Sequence, residues 1–372
     1  MADWYGNRHN ETYTYKRVAW ENWVEHEAYP WITSGSLELS SSSDLKLTGS
    51  FDFEGMEPPN TSDLLRVYYE FDDDNGEHAT CMLATLFVSY ASLEHIDTTK
   101  GIKSKGTLEG SSVLKLLDEK VYGAPYTIPK NTNAIYKAQS LIKEVGLNVV
   151  YTPAIPVLSA DHTFDAGDSY LDMVNWLCET AGYVPAYPDA EGNVVLKPHS
   201  AILNQTPEIV FENNANSIMY PQIEEENEWQ KTPNVVKMFY NTDLACIYAE
   251  ARNTTGSRVS LDARGNREQT FYEEIGELPE DASKVRSLVD LAEAKLRELS
   301  CDIEYVKFEH AYVPMQPYQA ITVNYSDLSW SGIIDNTSID LAPSTKAQTK
   351  LKRELYSDIV VQKEGRVLRG EE

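Results

Sequence analysis

The sequence contains few cysteines, and none has the spacing of a metal or redox motif. Cys81, Cys178, Cys246 and Cys301 are spread over 372 residues, and no two of them form a C-x-x-C pair. This spacing excludes a zinc ribbon and a thioredoxin-like motif. We therefore predict four reduced and mostly buried thiols, since a free buried cysteine behaves as a small apolar residue.

Long apolar runs are absent as well. No segment has the roughly 18 consecutive apolar residues of a membrane-spanning helix, and no basic segment near residue 1 precedes an apolar one. The sequence therefore predicts neither a membrane span nor a signal peptide, and it predicts folding in a cytoplasm.

Positive charge is scarce. The chain has 32 lysines and arginines against 58 aspartates and glutamates, which gives a formal net charge of -26. Such a protein repels nucleic-acid phosphates, so binding of the phosphate backbone is excluded as its main function. A channel through which DNA merely passes is compatible with this charge.

The motifs of common catalytic sites are missing too. The sequence has no G-x-S-x-G elbow, no H-E-x-x-H motif and no glycine-rich phosphate loop, and its seven histidines are scattered. Glycan cleavage needs two carboxylates at a suitable separation, but such a pair is no evidence for a glycosidase here, because 58 acids produce such pairs by chance. We predict that the chain is not an enzyme and has no catalytic residue, metal site or cofactor.

What the sequence does contain is a strict alternation of apolar and polar residues over residues 34–55. The apolar residues all occupy odd positions, namely Leu37, Leu39, Leu45, Leu47, Phe51 and Phe53. A period of two predicts strands with one apolar and one solvated face. Alternation from Leu65 to Phe71 then leads into Asn75-Gly76, which is typical of a hairpin turn.

A mixed region follows. Over residues 101–151 the pattern changes to short helical segments, the clearest of which is an apolar stripe that ends at Gly146. Asp168 or Ser169 can cap a further helix that ends at Gly182 and leads into a hairpin. Strands return after residue 231, interrupted by a helix over about residues 283–299. The predicted class is α+β and mainly β, with β regions on both sides of a mixed middle.

Two groups of residues are candidate partner contacts. The N-terminal aromatics Trp4, Tyr5, Trp20 and Trp23 either cover the first sheet of this chain or insert into a neighbouring subunit. The cations Lys346, Lys350, Lys352 and Arg353 have no acid between them. They either contact phosphate or, more in keeping with so acidic a protein, hold an acidic partner subunit through a helical or extended tail.

Three segments give the sequence a resemblance to a known family. "WITSGSLELSSSSDLKLTGSFDFEG" with the hairpin after it, "SYLDMVNWLCETAGYVPAYPDAEGNVVLKP", and "NVVKMFY" through "IDNTSIDLAP" follow one another in the order found in the baseplate hub proteins of bacteriophage tails. That family also includes the base of type VI secretion spikes. The resemblance implies two β-barrel domains per chain, flanking smaller α/β insertions, and a homotrimeric ring with pseudo-sixfold symmetry around a DNA channel.

The resemblance also implies a division of the chain into parts and a set of neighbouring proteins. The expected parts are an aromatic arm (1–31), a first barrel (32–100), an α/β insertion (101–160), a helix-plus-hairpin domain (161–230), a second barrel (231–343) and a tail (344–372). Expected neighbours are the tail tube or a distal tail protein and a tip, spike or lysin protein. The expected location is the virion, after assembly in the host cytoplasm. The alternatives are a carbohydrate- or receptor-binding tail-tip module and, less in keeping with the missing motifs, a cell-wall hydrolase.

Overall fold

The computed structural model describes residues 4, 6, 8–29, 31–56, 59–99, 101–153, 157–203, 205–214, 218–227, 229–241, 246–275, 284–300, 302–342, 346–355 and 359–369. Strands make up 54% of the structure and helices 14%. The predicted class, α+β and mainly β, is thereby confirmed.

The strands of the described residues run from near the N-terminus to near the C-terminus. In chain order they are β1 (Arg8–Val18), β2 (Glu25–Ala28), β3 (Ile32–Ser40), β4 (Leu47–Gly55), β5 (Leu64–Asp73), β6 (His78–Thr98), β7 (Gly101–Ser112), β8 (Tyr126–Ile128), β9 (Val149–Tyr151), β10 (His162–Phe164), β11 (Tyr187–Pro188), β12 (Val194–Leu196), β13 (Ile209–Glu212), β14 (Met219–Asn227), β15 (Val235–Asn241), β16 (Cys246–Thr255), β17 (Thr270–Glu274), β18 (Asp302–Ala311), β19 (Ala320–Tyr325), β20 (Leu328–Asp340), β21 (Lys346–Leu355) and β22 (Val360–Arg369).

The helices are short except for the last one. They are α1 (Lys115–Glu119), α2 (Ala134–Glu144), α3 (Tyr170–Thr180), α4 (His199–Leu203) and α5 (Lys284–Leu299). Ser169 caps α3 in a reciprocal capping box with Asp172, which confirms one of the two predicted caps. The predicted turn at Asn75-Gly76 is also confirmed, because it joins β5 to β6 and Gly76 has a φ of 76°.

One prediction about local structure was wrong. The first twelve residues of the region predicted to form short helices, Gly101–Ser112, form strand β7 of the main sheet. Every second side chain of β7 faces the sheet core, but two of these core positions are Gly106 and Gly110. The strand therefore shows little of the apolar alternation by which a strand is found in a sequence.

Strands from both flanks of the chain join in one curled sheet of 13 strands. Its main order is β14-β18-β21-β20-β3-β4-β7-β6-β5-β1-β2, with β19 paired to β20 and β13 paired to β19. The joint between the flanks is the antiparallel pair of β3 and β20, in which Asn336 lies opposite Ser40 and Asp340 opposite Ser36.

The contacts divide the chain into two compact units. Unit 1 contains residues 1–223 and 307–351, and unit 2 contains residues 224–306 and 352–372. The domain boundaries drawn from the sequence stay a prediction.

The two largest hydrophobic cores described in unit 1 lie in different places. One lies on the inner face of the sheet, where Leu37, Phe51, Val67 and Leu108 are almost fully buried. The other lies in the mixed middle, where α2 and α3 pack together through side chains such as Leu141 and Leu177. Burial of these apolar surfaces is the main source of stability in both places.

Unit 2 is built on a four-stranded sheet with the order β17-β15-β16-β22. Helix α5 covers one face of it, with Leu288, Ala292 and Leu296 packed against apolar residues such as Met238 and Ala249. The spacing of these helical residues by four follows the period of the helix, and Lys284–Leu299 confirms the helix expected over about residues 283–299 within the described residues. Residues 276–283, and with them the predicted start of this helix, lie outside the described residues.

Candidate interaction surfaces

The outward side of strands β3, β4, β7 and β6 forms a continuous polar face on unit 1. Register places the outward side chains in rows across the strands, one of which is Ser36–Ser50–Glu109–Ser89 and the next Ser34–Asp52–Thr107–Ser92. The polar side chains of this polar face are Ser34, Ser36, Glu38, Thr48, Ser50, Asp52, Glu54, Ser89, Ser92, Glu94, Lys103, Lys105, Thr107, Glu109 and Ser111. Phe87, opposite Ser111, and Ile96, opposite Lys103, lie on the same side. The alternation found in the sequence therefore corresponds to a sheet with one apolar face and one face rich in hydroxyl and acidic groups.

Hydrogen bonds hold the carboxylates of the polar face in place. Ser34 and Thr107 each donate a hydrogen bond of 2.9 Å to a different oxygen of Asp52. Lys103 bonds Glu54 and thereby holds the pKa of that carboxyl below its usual value. Carboxylates outnumber ammonium groups on this face, so its electrostatic field disfavours a polyanion.

The N-terminal aromatics make extensive contacts within their own chain. The Trp4 ring meets Phe71 edge-on with centroids 4.8 Å apart, and the Trp4 carbonyl accepts a hydrogen bond of 2.6 Å from Arg8. Trp20 lies 5.2 Å from Phe87 and 5.6 Å from Trp23. Trp4 thus packs against the core of the large sheet, and Trp20 and Trp23 pack against the core of the mixed middle. Contact of these residues with a neighbouring subunit stays a prediction. Tyr5 lies outside the described residues.

The C-terminal cations lie on strand β21, which is placed between β18 and β20 in the large sheet. The expected tail is thus, at residues 346–355, a strand inside the sheet. Ala347, Thr349 and Leu351 are buried, and the alternation places Lys346, Lys350 and Lys352 on the opposite side.

Two of these cations have described partners. The ammonium of Lys346 lies 4.8 Å from the centroid of the Tyr220 ring. Arg353 lies 3.8 Å from a carboxylate oxygen of Glu304. Contact of the four cations with a partner subunit stays a prediction.

A cavity of about 690 Å³ lies in unit 1, between the turn after β11, the segment after α4 and the loop before β19. Three tyrosines line it, Tyr187, Tyr312 and Tyr318, and each is less than 8% exposed. Sugar-stacking sites present open ring faces, and these rings are covered. The cavity therefore does not support the alternative of a carbohydrate-binding module.

Among the residues that the structure describes, no cluster of three or more His, Cys, Asp or Glu side chains could hold a metal ion. No helix in the same part of the chain is long and apolar enough to cross a membrane.

No protein-family model matches the sequence, and no curated protein matches it. Solved structures do match. A tail protein from Neisseria meningitidis is 12% identical with a TM-score of 0.62, over 92% of this chain and 97% of that one. A 43 kDa tail protein of prophage MuSo2 from Shewanella oneidensis is 11% identical with a TM-score of 0.61, over 91% and 97%.

A more distant match is a chain of the Francisella PdpA-VgrG complex. It is 10% identical with a TM-score of 0.52, over 93% of this chain and 58% of that one. At such identities the likeness shows a shared fold. The resemblance drawn from the sequence is confirmed at that level, since the fold is similar to those of these tail proteins.

Proposed function

We propose that this protein is a structural hub of a phage tail baseplate or of a tail-like injection particle. Three copies form a ring with pseudo-sixfold symmetry that joins the tail tube to the tip and surrounds the channel for DNA. The protein acts by shape and assembly and has no catalytic role. Its place is the virion, after assembly in the bacterial cytoplasm.

The observation that carries the proposal is the polar face, in a fold shared with tail proteins. A DNA channel works best when its wall does not bind phosphate, because bound phosphates slow transit. Serine and threonine hydroxyls with a surplus of carboxylates, such as Glu38, Asp52 and Glu109, provide such a wall. We assign the polar face to the channel.

The same proposal gives the lysines of β21 a role. Lys346 and Lys350 lie on the side of the sheet opposite to Thr349, and Thr349 bonds the inward-facing Thr337 of β20. The lysines therefore lie on the same side of the sheet as the polar face, and they give one edge of that side a positive charge. We assign these lysines to the edge where one copy meets the acidic edge of the next, so that they pair across the contact, face away from the channel, and join the copies head to tail into a ring. The tail tube or a distal tail protein and a tip, spike or lysin protein are the partners above and below.

The first test is the solution mass of the purified chain by light scattering, with negative-stain images of the same fraction. We expect a particle of three chains with a central hole. A glycan array serves as the control for the alternative function, and we expect no specific glycan. If the protein is a monomer that binds one glycan class, the result contradicts the hub and supports a receptor-binding module.

The second test reverses the charge of the polar face. We expect no binding of double-stranded DNA by the wild-type protein, and salt-dependent binding by the triple variant Glu38→Lys, Asp52→Lys, Glu109→Lys, because three new cations can replace counterions on phosphates. Fluorescence anisotropy at low and physiological salt measures this. The matched control reverses three exposed acids outside the polar face, Glu119, Glu179 and Glu208. Equal DNA binding by both triple variants would contradict a channel-specific role of the polar face.

A further inference from the structure

The cavity in unit 1 has the size and the lining of a ligand site. Its volume is about 690 Å³, and ligand sites usually have about 300–1,000 Å³. All of its lining residues belong to unit 1. The apolar part of the lining includes Leu39, Leu47, Met82, Leu83, Pro314, Met315 and Pro317. Methionine side chains are flexible, so this lining can adapt to the shape of an apolar group.

Tyr187 is a buried polar residue of the lining whose hydroxyl has no partner. It is 3% exposed, and its hydroxyl makes no hydrogen bond with a described residue. The other two tyrosines of the lining are satisfied, because Tyr318 donates a hydrogen bond of 3.1 Å to the Ser41 carbonyl and Tyr312 bonds the backbone of Met315. Buried polar groups nearly always have a partner, so we expect one for Tyr187 inside the cavity. Burial raises the pKa of Tyr187 to about 12, and the hydroxyl therefore keeps its proton at neutral pH.

The charged residues of the lining are Lys197, Asp189 and Glu208. Both carboxylate oxygens of Asp189 are engaged, because the backbone N–H and the side-chain amide of Asn193 each donate a hydrogen bond of 2.8 Å to one of them. Glu208 is exposed to solvent. Lys197 is half-buried, and its ammonium makes no hydrogen bond or ion pair with a described residue. The ammonium and the buried hydroxyl of Tyr187 are thus two donors that the described protein leaves without an acceptor.

The loop before β19 forms one wall of the cavity in a strained conformation. Tyr318 has a φ of 61°, which a bulky residue rarely adopts. Its ring lies 5.3 Å from that of Tyr187, and its carbonyl accepts a hydrogen bond of 3.3 Å from Gln205. Strained residues persist where the surrounding structure holds them, and they cluster at ligand sites. The Tyr187 ring is thus held in place from a second wall of the cavity.

We propose that this cavity binds a carboxylate attached to an apolar group, with Lys197 and Tyr187 as the hydrogen-bond donors. A carboxylate only accepts, and charge makes its hydrogen bonds to an ammonium and a hydroxyl strong. The apolar group lies against the leucines and methionines of the lining. The carboxylate belongs either to a small organic acid or to the C-terminus of another polypeptide. This inference goes beyond the proposed hub and does not depend on it, since one copy contains all the lining residues.

The test measures binding of phenylbutyrate and phenylhexanoate to the full chain by calorimetry, with the corresponding amides as neutral controls. We expect the acids to bind about tenfold tighter than their amides, because the amides lack the charge that pairs with Lys197. In Lys197→Met this difference should disappear, and Tyr187→Phe should weaken binding of the acids by about threefold to tenfold. The matched control Lys130→Met removes an exposed lysine elsewhere in unit 1 and should bind like the wild type.

Isotope-labelled methionine methyl groups locate the bound acid by NMR. Met82 and Met315 line the cavity, whereas Met173 lies in the core of the mixed middle and Met238 in unit 2. We expect phenylbutyrate to shift the signals of the first two and to leave those of the other two unchanged. The tripeptide acetyl-Ala-Leu-Phe with a free C-terminus separates the two sources. Tighter binding than that of the phenyl acids would indicate a chain end, and weaker binding a small acid.

Three results would overturn the inference. Unchanged signals of Met82 and Met315 with every acid up to about 5 mM would mean that the cavity binds no carboxylate. Equal affinity for acids and amides, or an unchanged preference in Lys197→Met, would show that the ammonium does not hold a carboxylate. Shifts confined to other methionines would place the binding elsewhere. All of these results leave the expected mass of the ring unchanged, so the hub is tested separately.

Discussion

Replacement of Phe51 by alanine is expected to lower the free energy of unfolding of unit 1 by about 4 kcal/mol. Phe51 lies on β4 in the inner core of the large sheet and is fully buried. Its ring is also 6.1 Å from that of Tyr15, at 81°, so the substitution removes an edge-to-face contact as well as apolar area. Chemical unfolding followed by tryptophan fluorescence measures the loss.

The size of this effect follows from what surrounds the ring. Three glycines on three neighbouring strands leave the space that the ring occupies: a Cβ on Gly35, Gly49 or Gly110 would lie 2.7 Å, 2.9 Å or 3.1 Å from a ring carbon of Phe51. Glycines have no side chain that could move into the cavity left by alanine. The cavity therefore stays open, and the cost lies in the upper part of the range known for such substitutions.

Two variants control this prediction. Tyr272→Ala removes an aromatic ring that is 63% exposed in unit 2, and we expect a change within about 0.5 kcal/mol. Phe51→Leu keeps most of the volume and should cost about 1 kcal/mol. A loss below about 1 kcal/mol for Phe51→Ala would mean that β3, β4 and β7 do not enclose the ring as described.

The same ring explains what could and could not be predicted from the sequence. β3 and β4 were predictable because their core positions hold Leu37, Leu39, Phe51 and Phe53, which produce a clear period of two. β7 was not, because Gly106 and Gly110 occupy core positions there. The large ring on β4 makes a small residue necessary at Gly110, and the close approach of the Ser92 carbonyl on β6 does so at Gly106. This complementarity between strands is invisible within β7 alone.

Long-range pairing also could not be predicted. The partners Asn336 and Ser40 are almost 300 residues apart, and nothing in either strand specifies the other. The surfaces, too, were predictable only in part. Alternation showed that the strands around Ser50 and Asp52 have a polar side, but the rows that join them into the polar face depend on register. The point at which β5 stops pairing with β6, where Leu64 lies opposite Phe87, is also a property of the pairing.

His310 on β18 is the buried titratable group with the clearest consequence for stability. Its Nδ1 lies 2.8 Å from the carbonyl oxygen of Ala311, and since a carbonyl only accepts, Nδ1 carries the proton of the neutral ring. Nε2 then accepts a hydrogen bond of 2.9 Å from the Thr349 hydroxyl, which in turn accepts one of 3.0 Å from Thr337. The rings of Phe211 and Phe308 pack against the imidazole.

This environment favours the neutral imidazole. Burial lowers the pKa of His310 from its ordinary value of 6.5 to about 4, and the positive charge of Arg8 acts in the same direction. A protonated ring would require the Thr349 hydroxyl to turn and accept, in a site enclosed by aromatic rings. The unfolded chain has no such restriction, so it binds a proton at higher pH than the folded chain does.

Unit 1 should therefore lose stability as the pH falls from about 6.5 to about 4, and His310 accounts for about 3 kcal/mol of that loss. Above this window both states are neutral at His310, and below it both are protonated, so the contribution changes only between the two pKa values. Urea unfolding at intervals of half a pH unit measures this loss of stability.

Two variants that cannot titrate at this position serve as controls. His310→Gln keeps an amide group at the position of Nε2, and its free energy of unfolding should fall by about 3 kcal/mol less than that of the wild type over the same pH range. His310→Phe, which removes the titration by a different route, should be equally flat although less stable at neutral pH. A pH dependence that is the same in wild type and both variants would show that His310 does not hold its neutral form in the folded protein.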